Sequence, residues 1–497
     1  MGIKHFYSWF RKCQQLKQSI SSSVPNNVDY LLIDMNGVIH EAAQRVYKYG
    51  KHAPRKTEII IPKRYMKHVK TKTVEPKPTV NELYECVKSE VNFIVNVINP
   101  KKTIFLAIDG VAPMSKQNQQ RQRRFRAAKE RDEKKNESFD STCITAGTSF
   151  MKDLSEYLFK DEWINCKNPV EIIISDDSQP GEGEHKLMDW IRHNDDVNEG
   201  IYCVVGMDAD LILLSCLLPR TNVYIMREDD RSCKKQYDYI DINRVRQDLP
   251  VKVNDLIIWS CFIGNDFLPP IPSLEIKESI PETGAMDFFF ENYKHPLVTE
   301  KGFLNPYEII RLLKLVRDRE QDIMKARHMD ESSKDAYNKR FPNPLWDGDI
   351  VNYRIAFQQK IAKYYQKPFS ESELVNAFMK TVQWVYLYYT KGIAATQDWN
   401  WFFPYHYALH ADLFVEIMTD QLFISYAFKK TKPSHPYEQL LRVIPPSSKY
   451  LIPEHLHDHV DRLAEKYTLF HVDKAGKRQE WEATTIVDFV EVDGIIN

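Results

Sequence analysis

Short apolar runs, each closed by an acidic residue, recur through the first half of the chain. Tyr30–Ile33 precedes Asp34, Thr103–Ile108 precedes Asp109, and Tyr202–Val205 leads through Gly206 and Met207 to Asp208. Glu171–Ile174 and Asn222–Met226 are further β-rich runs. Stretches with helical character separate them: Val80–Ile98, Asn118–Lys135, Gly183–Arg192 and Asp255–Ile263. Near-continuous apolar strands alternating with helices predict an α/β fold, a mostly parallel central sheet flanked by helices on both faces. Ligands of such sheets gather beyond the carboxyl ends of the strands, the edge at which Asp34, Asp109 and Asp208 fall.

Beyond about Asn292 the pattern turns helical and aromatic, as in Gln383–Tyr389 and Trp399–Tyr407. The expected organisation is an α/β core over 1–290 and a mostly helical second region over 291–497 that completes the site. The segment Lys48–Lys77 is rich in Lys, Arg and Pro with weak periodicity. It reads as a basic insertion near 45–78, a mobile solvated loop rather than a nuclear signal or a track for RNA. After Lys474, charge mixes with short β-prone pieces and no element is assigned.

Composition narrows the class. The 497 residues are 43% hydrophobic and 28% charged with a net charge of −1, ordinary for a globular protein and silent about a polyanionic partner. Positive charge is instead local, in Lys48–Lys77 and Lys116–Lys135. The eight cysteines form no CxxC pair and no Cys/His cluster at zinc spacing, which argues against structural zinc and for a reducing compartment. The start, MGIKHFYSWF, lacks the apolar stretch of a secretory signal, and Asp208 and Asp210 interrupt the longest apolar region, Ile201–Leu218. A soluble intracellular protein with no membrane contact is expected.

The candidate chemistry lies in seven carboxylates: Asp34, Asp109, Glu182, Glu184, Asp208, Asp210 and Asp266. Each sits within or beside an apolar or glycine-bearing run. A buried ionised carboxylate costs several kcal/mol unless compensated. Any one of them could be a helix cap or half of an ion pair. Seven together, with few neighbouring cations in sequence, would repel one another unless hard divalent cations lay between them. Two such cations can activate water and stabilise the leaving oxygen of a phosphodiester. Downstream of Asp109 runs KQNQQRQRRFR, in which Lys116, Gln120, Arg123 and Arg124 share one helical face. Such a face can grip a terminal phosphate, although a charge run is more often a solvated surface.

These motifs, taken together, resemble the Xrn/Rat family of 5′-to-3′ exoribonucleases. The matching blocks include MGIKHFYSWF, DMNGVIHEA, AIDGVAPMSKQNQQRQRRFRAA, FDSTCITAGTSFM, PGEGEHKLMDWIR, GMDADLILL, FIGNDFLP, QWVYLYYTKG, WNWFFPYHYA and YEQLLRVIPPSSKYLIP, in family order over nearly the whole chain. The resemblance implies a nuclease core similar to the PIN and flap-endonuclease folds, and two Mg²⁺ ions, replaceable by Mn²⁺, held by the seven carboxylates. It implies a 5′-phosphate pocket of Lys116, Gln120, Arg123 and Arg124. His40 matches the family histidine that stacks on a base, with Trp399 or Trp401 as its opposite number.

The implied activity is processive hydrolysis of 5′-monophosphorylated single-stranded RNA to nucleoside 5′-monophosphates. A monomer is expected, more cytoplasmic than nuclear, a viral origin being compatible with it, with decapping or RNA-processing partners unspecified. The chain departs from the family in Ile3-Lys4-His5, where Val-Pro-Lys is usual, in the basic insertion, and in ending soon after the second conserved region. Two other readings share some of these features. A flap-endonuclease-like DNA nuclease would carry a helix-hairpin-helix motif, which is not found; an inactive RNA-binding scaffold would have lost ligand carboxylates.

Overall fold

The computed structural model describes residues 2–53, 77–134, 139–160, 162–194, 200–220, 222–229, 235–280, 283–365, 369–393, 398–421, 425–467, 469–490 and 492. Most of the basic insertion expected near 45–78 lies outside them.

Seven strands form one sheet: β1 (Ile20–Ser21), β2 (Tyr30–Asp34), β3 (Thr103–Ala107), β4 (Glu171–Ser175), β5 (Tyr202–Val205), β6 (Val223–Glu228) and β7 (Tyr237–Asp241), in the order β1-β7-β6-β5-β2-β3-β4. The five from β6 to β4 are parallel, whereas β7 pairs antiparallel with β6, and β1 with β7. The strands predicted from sequence are therefore present, with ends shifted by a residue or two. The antiparallel edge β1-β7 was not foreseen, because its alternation is short and partly charged.

Side-chain alternation explains the unbroken apolar runs. Tyr30, Leu32, Phe105 and Val204 face a core shared with Leu187, Ile191 and Leu211. Leu31, Ile33, Ile104 and Cys203 face the opposite core, formed with the helices Met35–Val46, Val80–Ile98 and Ser149–Phe159. Both faces are buried, so both sets of positions must be apolar. The helix Val80–Ile98 begins with a Thr79/Glu82 capping box and ends at Asn99 in the left-handed region. The basic helix runs Met114–Lys134, starting at Met114 rather than Asn118.

The first core continues into the second half of the chain. Helix Val253–Ile263 packs on the long helix Glu371–Lys391 and on Ala411–Asp420 through Phe262, Phe378 and Phe414, with ring centroids 5.0–6.3 Å apart. Helices dominate from Pro306 onward, and the stretch after Lys474 supplies β9 (Thr484–Val487), which pairs antiparallel with β8 (Phe470–Asp473) just before it. Among the described residues no helix is long and apolar enough to cross a membrane.

The chain enters β2 and steps outward through β3 to β4. It then returns across the sheet to β5 on the other side of β2. This reversal leaves a crevice beyond the ends of β2 and β5, where ligands of open α/β sheets bind.

A candidate divalent-metal centre at the sheet edge

Asp34 ends β2 and caps the next helix, its Oδ1 accepting the Asn36 N–H at 3.2 Å. Asp109 follows β3. Asn36 braces the two loops, donating its side-chain amide to Asp109 Oδ2 at 2.8 Å and accepting the Asp109 N–H at 3.0 Å. Gly183, at the start of the helix Gly183–His193, donates its N–H to Asp109 Oδ1 at 2.6 Å. A methyl group on Gly183 would lie 2.9 Å from Asp34 Oδ1 and 3.3 Å from Asp109 Oδ1. Only a residue without a side chain allows the helix to reach both acids.

That helix delivers Glu182 and Glu184, which are 3% and 5% exposed. Asp208 follows β5, and Asp210 opens the next short helix, Asp210–Cys216. Asp266 lies in the turn after Val253–Ile263 and accepts the Gly2 N–H at 3.0 Å. Gly2 has φ +63°, and a methyl group added there would lie 2.9 Å from the Asp210 carboxyl carbon. The seven predicted acids thus meet at one place. Glu184, Asp208 and Asp210 bring ligand atoms within 4.8 Å of one another, as do Glu182, Glu184 and His185.

Lys116 enters this cluster, its Nζ 2.5 Å from Glu182 Oε2 and 2.8 Å from Asp266 Oδ2. Burial alone would lower its pKa, but Asp266, Glu182 and Glu184 hold the ammonium well above the usual lysine range. Asp266 is correspondingly held low despite its burial. The other acids are not so compensated. Burial and the neighbouring Asp109 and Asp208 push Asp34 well up, and burial and Asp210 do the same to Glu184. Asp210 is raised to about 6 by burial, Asp208 and Asp266, and Glu182 to about 7 by burial, against the pull of Lys116. Asp208 falls to about 2, its burial outweighed by surrounding positive charge that includes Lys116 and Arg123.

Two phenols from the helical region complete the site. Tyr388 donates to Glu182 Oε1 at 2.9 Å and Tyr389 to Asp210 Oδ2 at 3.2 Å. His185 stacks on Tyr388 with centroids 3.8 Å apart. Glu184 Oε2, Asp210 Oδ1 and both His185 ring nitrogens are buried with no hydrogen-bond partner among the described residues. Unpaired buried oxygens amid like charge are what a hard cation would satisfy, so the donor set fits divalent metal.

His185, Asn36, Tyr388 and Tyr389 were not foreseen as site residues. His185 directly follows Glu184 in GEGEHK, and the tyrosines stand in QWVYLYYTKG, so their sequence signals were adjacency and motif membership.

The basic helix presents Gln120 and Arg124 on its buried side and Arg123 on its exposed side. Arg124 donates to Gln120 Oε1 at 3.3 Å and to the Ile144 carbonyl at 3.5 Å. Burial and Arg123 lower its pKa to about 9. His40 is brought down to about 3 by burial and by Arg123 and Arg124, and so is neutral. Trp399 is buried and its carbonyl accepts the Met114 N–H at 2.8 Å, anchoring the start of the basic helix. Trp401 donates its indole N–H to Thr381 Oγ1 at 3.0 Å, with Lys380 Nζ 3.8 Å from its ring. Among the described residues no ring contact joins either tryptophan to His40.

Comparisons with known proteins bear on this site. Residues 1–229 match the family model described as the XRN 5′-3′ exonuclease N-terminus, and residues 246–344 and 352–496 match the Xrn1 helical domain. The chain is similar to the 5′-3′ exoribonuclease 1 of Homo sapiens, at 26% identity over 99% of this chain and 33% of the relative. It is similar to the 5′-3′ exoribonuclease 2 homolog of Drosophila melanogaster, at 26% over 99% of this chain and 70% of the relative. The chain therefore spans a third of the human relative's length. Among solved structures, the catalytic core of Rad2 with DNA substrate matches with a TM-score of 0.36 and 15% identity, over 76% of this chain and 95% of that chain, a likeness too distant to carry functional weight. With both family models matched in order along nearly its full length, the chain belongs to the Xrn 5′-3′ exonuclease family.

Proposed function

We propose that this chain is a processive 5′-to-3′ exoribonuclease. On this reading it hydrolyses single-stranded RNA bearing a 5′-monophosphate to nucleoside 5′-monophosphates, with two Mg²⁺ ions as cofactor. The observation that carries the reading is the convergence of seven carboxylates, two of them with buried oxygens left unpaired among the described residues, beside a basic helix. Asp34, Asp109, Glu182, Glu184, Asp208, Asp210 and Asp266 would hold the cations, and Mn²⁺ would serve in place of Mg²⁺. When bound, such cations supply Lewis acidity, lowering the pKa of water and neutralising phosphoryl charge.

The chain's own residues do the rest. Lys116, Gln120, Arg123 and Arg124 receive the terminal phosphate through charge-assisted hydrogen bonds. A pocket fitted to a single phosphate would exclude a cap or triphosphate. Tyr388 and Tyr389 orient Glu182 and Asp210 from the helical region, so residues 291–497 complete a site rooted in residues 1–290. His40, neutral through burial, offers a flat face to a base, with Trp399 or Trp401 as the opposite wall. Stacking of this kind tolerates any base, as stepwise degradation requires.

The test is a gel with matched 5′-monophosphate RNA, 5′-triphosphate RNA and flap DNA, each with Mg²⁺ or EDTA. Mononucleotide release from the monophosphate RNA alone, and only with Mg²⁺, is expected. Preferential cutting of the flap, or binding without cleavage, would overturn the reading.

A further inference from the structure

A cavity of about 580 Å³ adjoins the carboxylate cluster, sharing Gly2 and Asp266 with it. Its walls come from the N-terminal segment, the basic helix, the turn after Val253–Ile263, the block around Phe403 and the start of β9. Lys4, Arg11, Arg123, Arg126 and Arg227 line it. The acidic residue among its described lining is Asp266, already ion-paired with Lys116. Arg11 and Arg126 also meet Asp229 and Glu130, so part of this positive charge is balanced from outside the cavity. With five cationic residues and one acidic residue, the lining is predominantly positive, which suits a polyanion.

Trp481 lines this cavity and is 53% exposed, unusual for so large an apolar ring. Its indole rests on the His5 imidazole, with ring centroids 5.0 Å apart at 55°. His5 has φ 63°, a left-handed conformation rare outside glycine. Two contacts to one residue hold it there: His5 Nε2 lies 2.5 Å from Glu482 Oε1, and Lys4 Nζ donates to the Glu482 carbonyl at 2.8 Å. Backbone strain that the surroundings maintain, ending in an aromatic pair at a basic cavity, points to a use for the pair.

We propose that Trp481, seated on His5, is a stacking platform for a base of single-stranded RNA lying 3′ of the scissile bond. This rests on the nuclease reading above and adds a contact outside the carboxylate cluster and the phosphate-binding helix face. An aromatic face beside arginines is the usual means of holding single strands without reading sequence. The cavity's continuity with the cluster through Gly2 and Asp266 puts both on one strand path. The lysine and histidine at positions 4 and 5 let the N-terminal segment dock on Glu482 and support the indole.

The experiment measures fluorescence anisotropy in EDTA at fixed salt, using a 5′-phosphorylated RNA 10-mer and a 5′-phosphorylated trimer. Trp481→Ala is expected to weaken 10-mer binding about tenfold and trimer binding by less than about twofold, with Trp481→Phe retaining 10-mer affinity within about twofold. Equal 10-mer affinity in Trp481→Ala and the unaltered protein overturns the platform. So does an equal loss for trimer and 10-mer, or failure of Trp481→Phe to rescue, since each reports a structural role. Because binding is read without cleavage, an unaltered protein with this dependence that never shortens RNA refutes the nuclease reading while keeping Trp481 as an RNA contact. One that shortens RNA without the dependence does the reverse.

Discussion

The Lys116 ammonium lies 2.5 Å from Glu182 Oε2, inside the carboxylate cluster rather than at its margin. Its second contact, Asp266, is 2.8 Å away. In the metal-free protein this lysine is a principal source of compensation for the buried negative charge. Replacing one partner of a buried ion pair typically costs about 3–5 kcal/mol. Lys116→Met is therefore expected to lower the melting temperature in EDTA, and millimolar Mg²⁺ to restore much of the loss. Identical melts for variant and unaltered protein in EDTA would show the ammonium to be dispensable.

Glu184 belongs to both groups of donor atoms, the one with Asp208 and Asp210 and the one with Glu182 and His185. Glu184→Gln keeps the shape and removes the charge. Cleavage is expected to fall by roughly 10³-fold, equivalent to about 4 kcal/mol of transition-state stabilisation. The Mg²⁺-induced rise in melting temperature should shrink with it. Normal cleavage in this variant would take Glu184 out of the metal set.

Burial raises Asp210 to about 6 and Glu182 to about 7. A carboxylate with a raised pKa binds its proton more tightly in the folded chain than in the unfolded one. Its stabilising contribution is full below the unfolded value of about 4 and is lost as pH climbs through the folded value. Relative to Asp210→Asn, the metal-free protein should lose on the order of 3 kcal/mol between pH 4 and pH 7. Urea melts of both proteins in EDTA across that range measure the difference. Stability that rose with pH relative to Asp210→Asn would reverse the sign and refute the assignment.

Arg124 is buried, and among the described residues its hydrogen bonds go to Gln120 and the Ile144 carbonyl. If it grips a terminal phosphate, Arg124→Ala should cut kcat/KM for 5′-monophosphate RNA by about 10–100-fold, the range for a charged hydrogen bond. The matched 5′-hydroxyl RNA should be affected much less. Equal losses on both substrates would assign Arg124 to structure alone.

Much of this was legible in the sequence, for definite reasons. The acids were visible because Asp34, Asp109 and Asp208 interrupt or end apolar runs that must be strands. Asn36, His185, Tyr388 and Tyr389 were not, because a polar or aromatic residue beside a motif looks the same whether it braces a ligand or packs a core. The tyrosines reach the site only through the docking of Glu371–Lys391 onto the α/β half, a long-range contact that no local pattern encodes. The helical face of Lys116 points to phosphate, whereas the structure turns its ammonium onto Glu182 and Asp266.

The contact between Gly183 and two acids has a practical corollary. One absent carbon atom governs how near Asp34 and Asp109 come to the helix that carries Glu182 and Glu184. Alanine at this position would spread the ligands while leaving every charge in place. The spacing of the centre can thus be varied independently of its electrostatics, a separation that charge-removing substitutions cannot achieve.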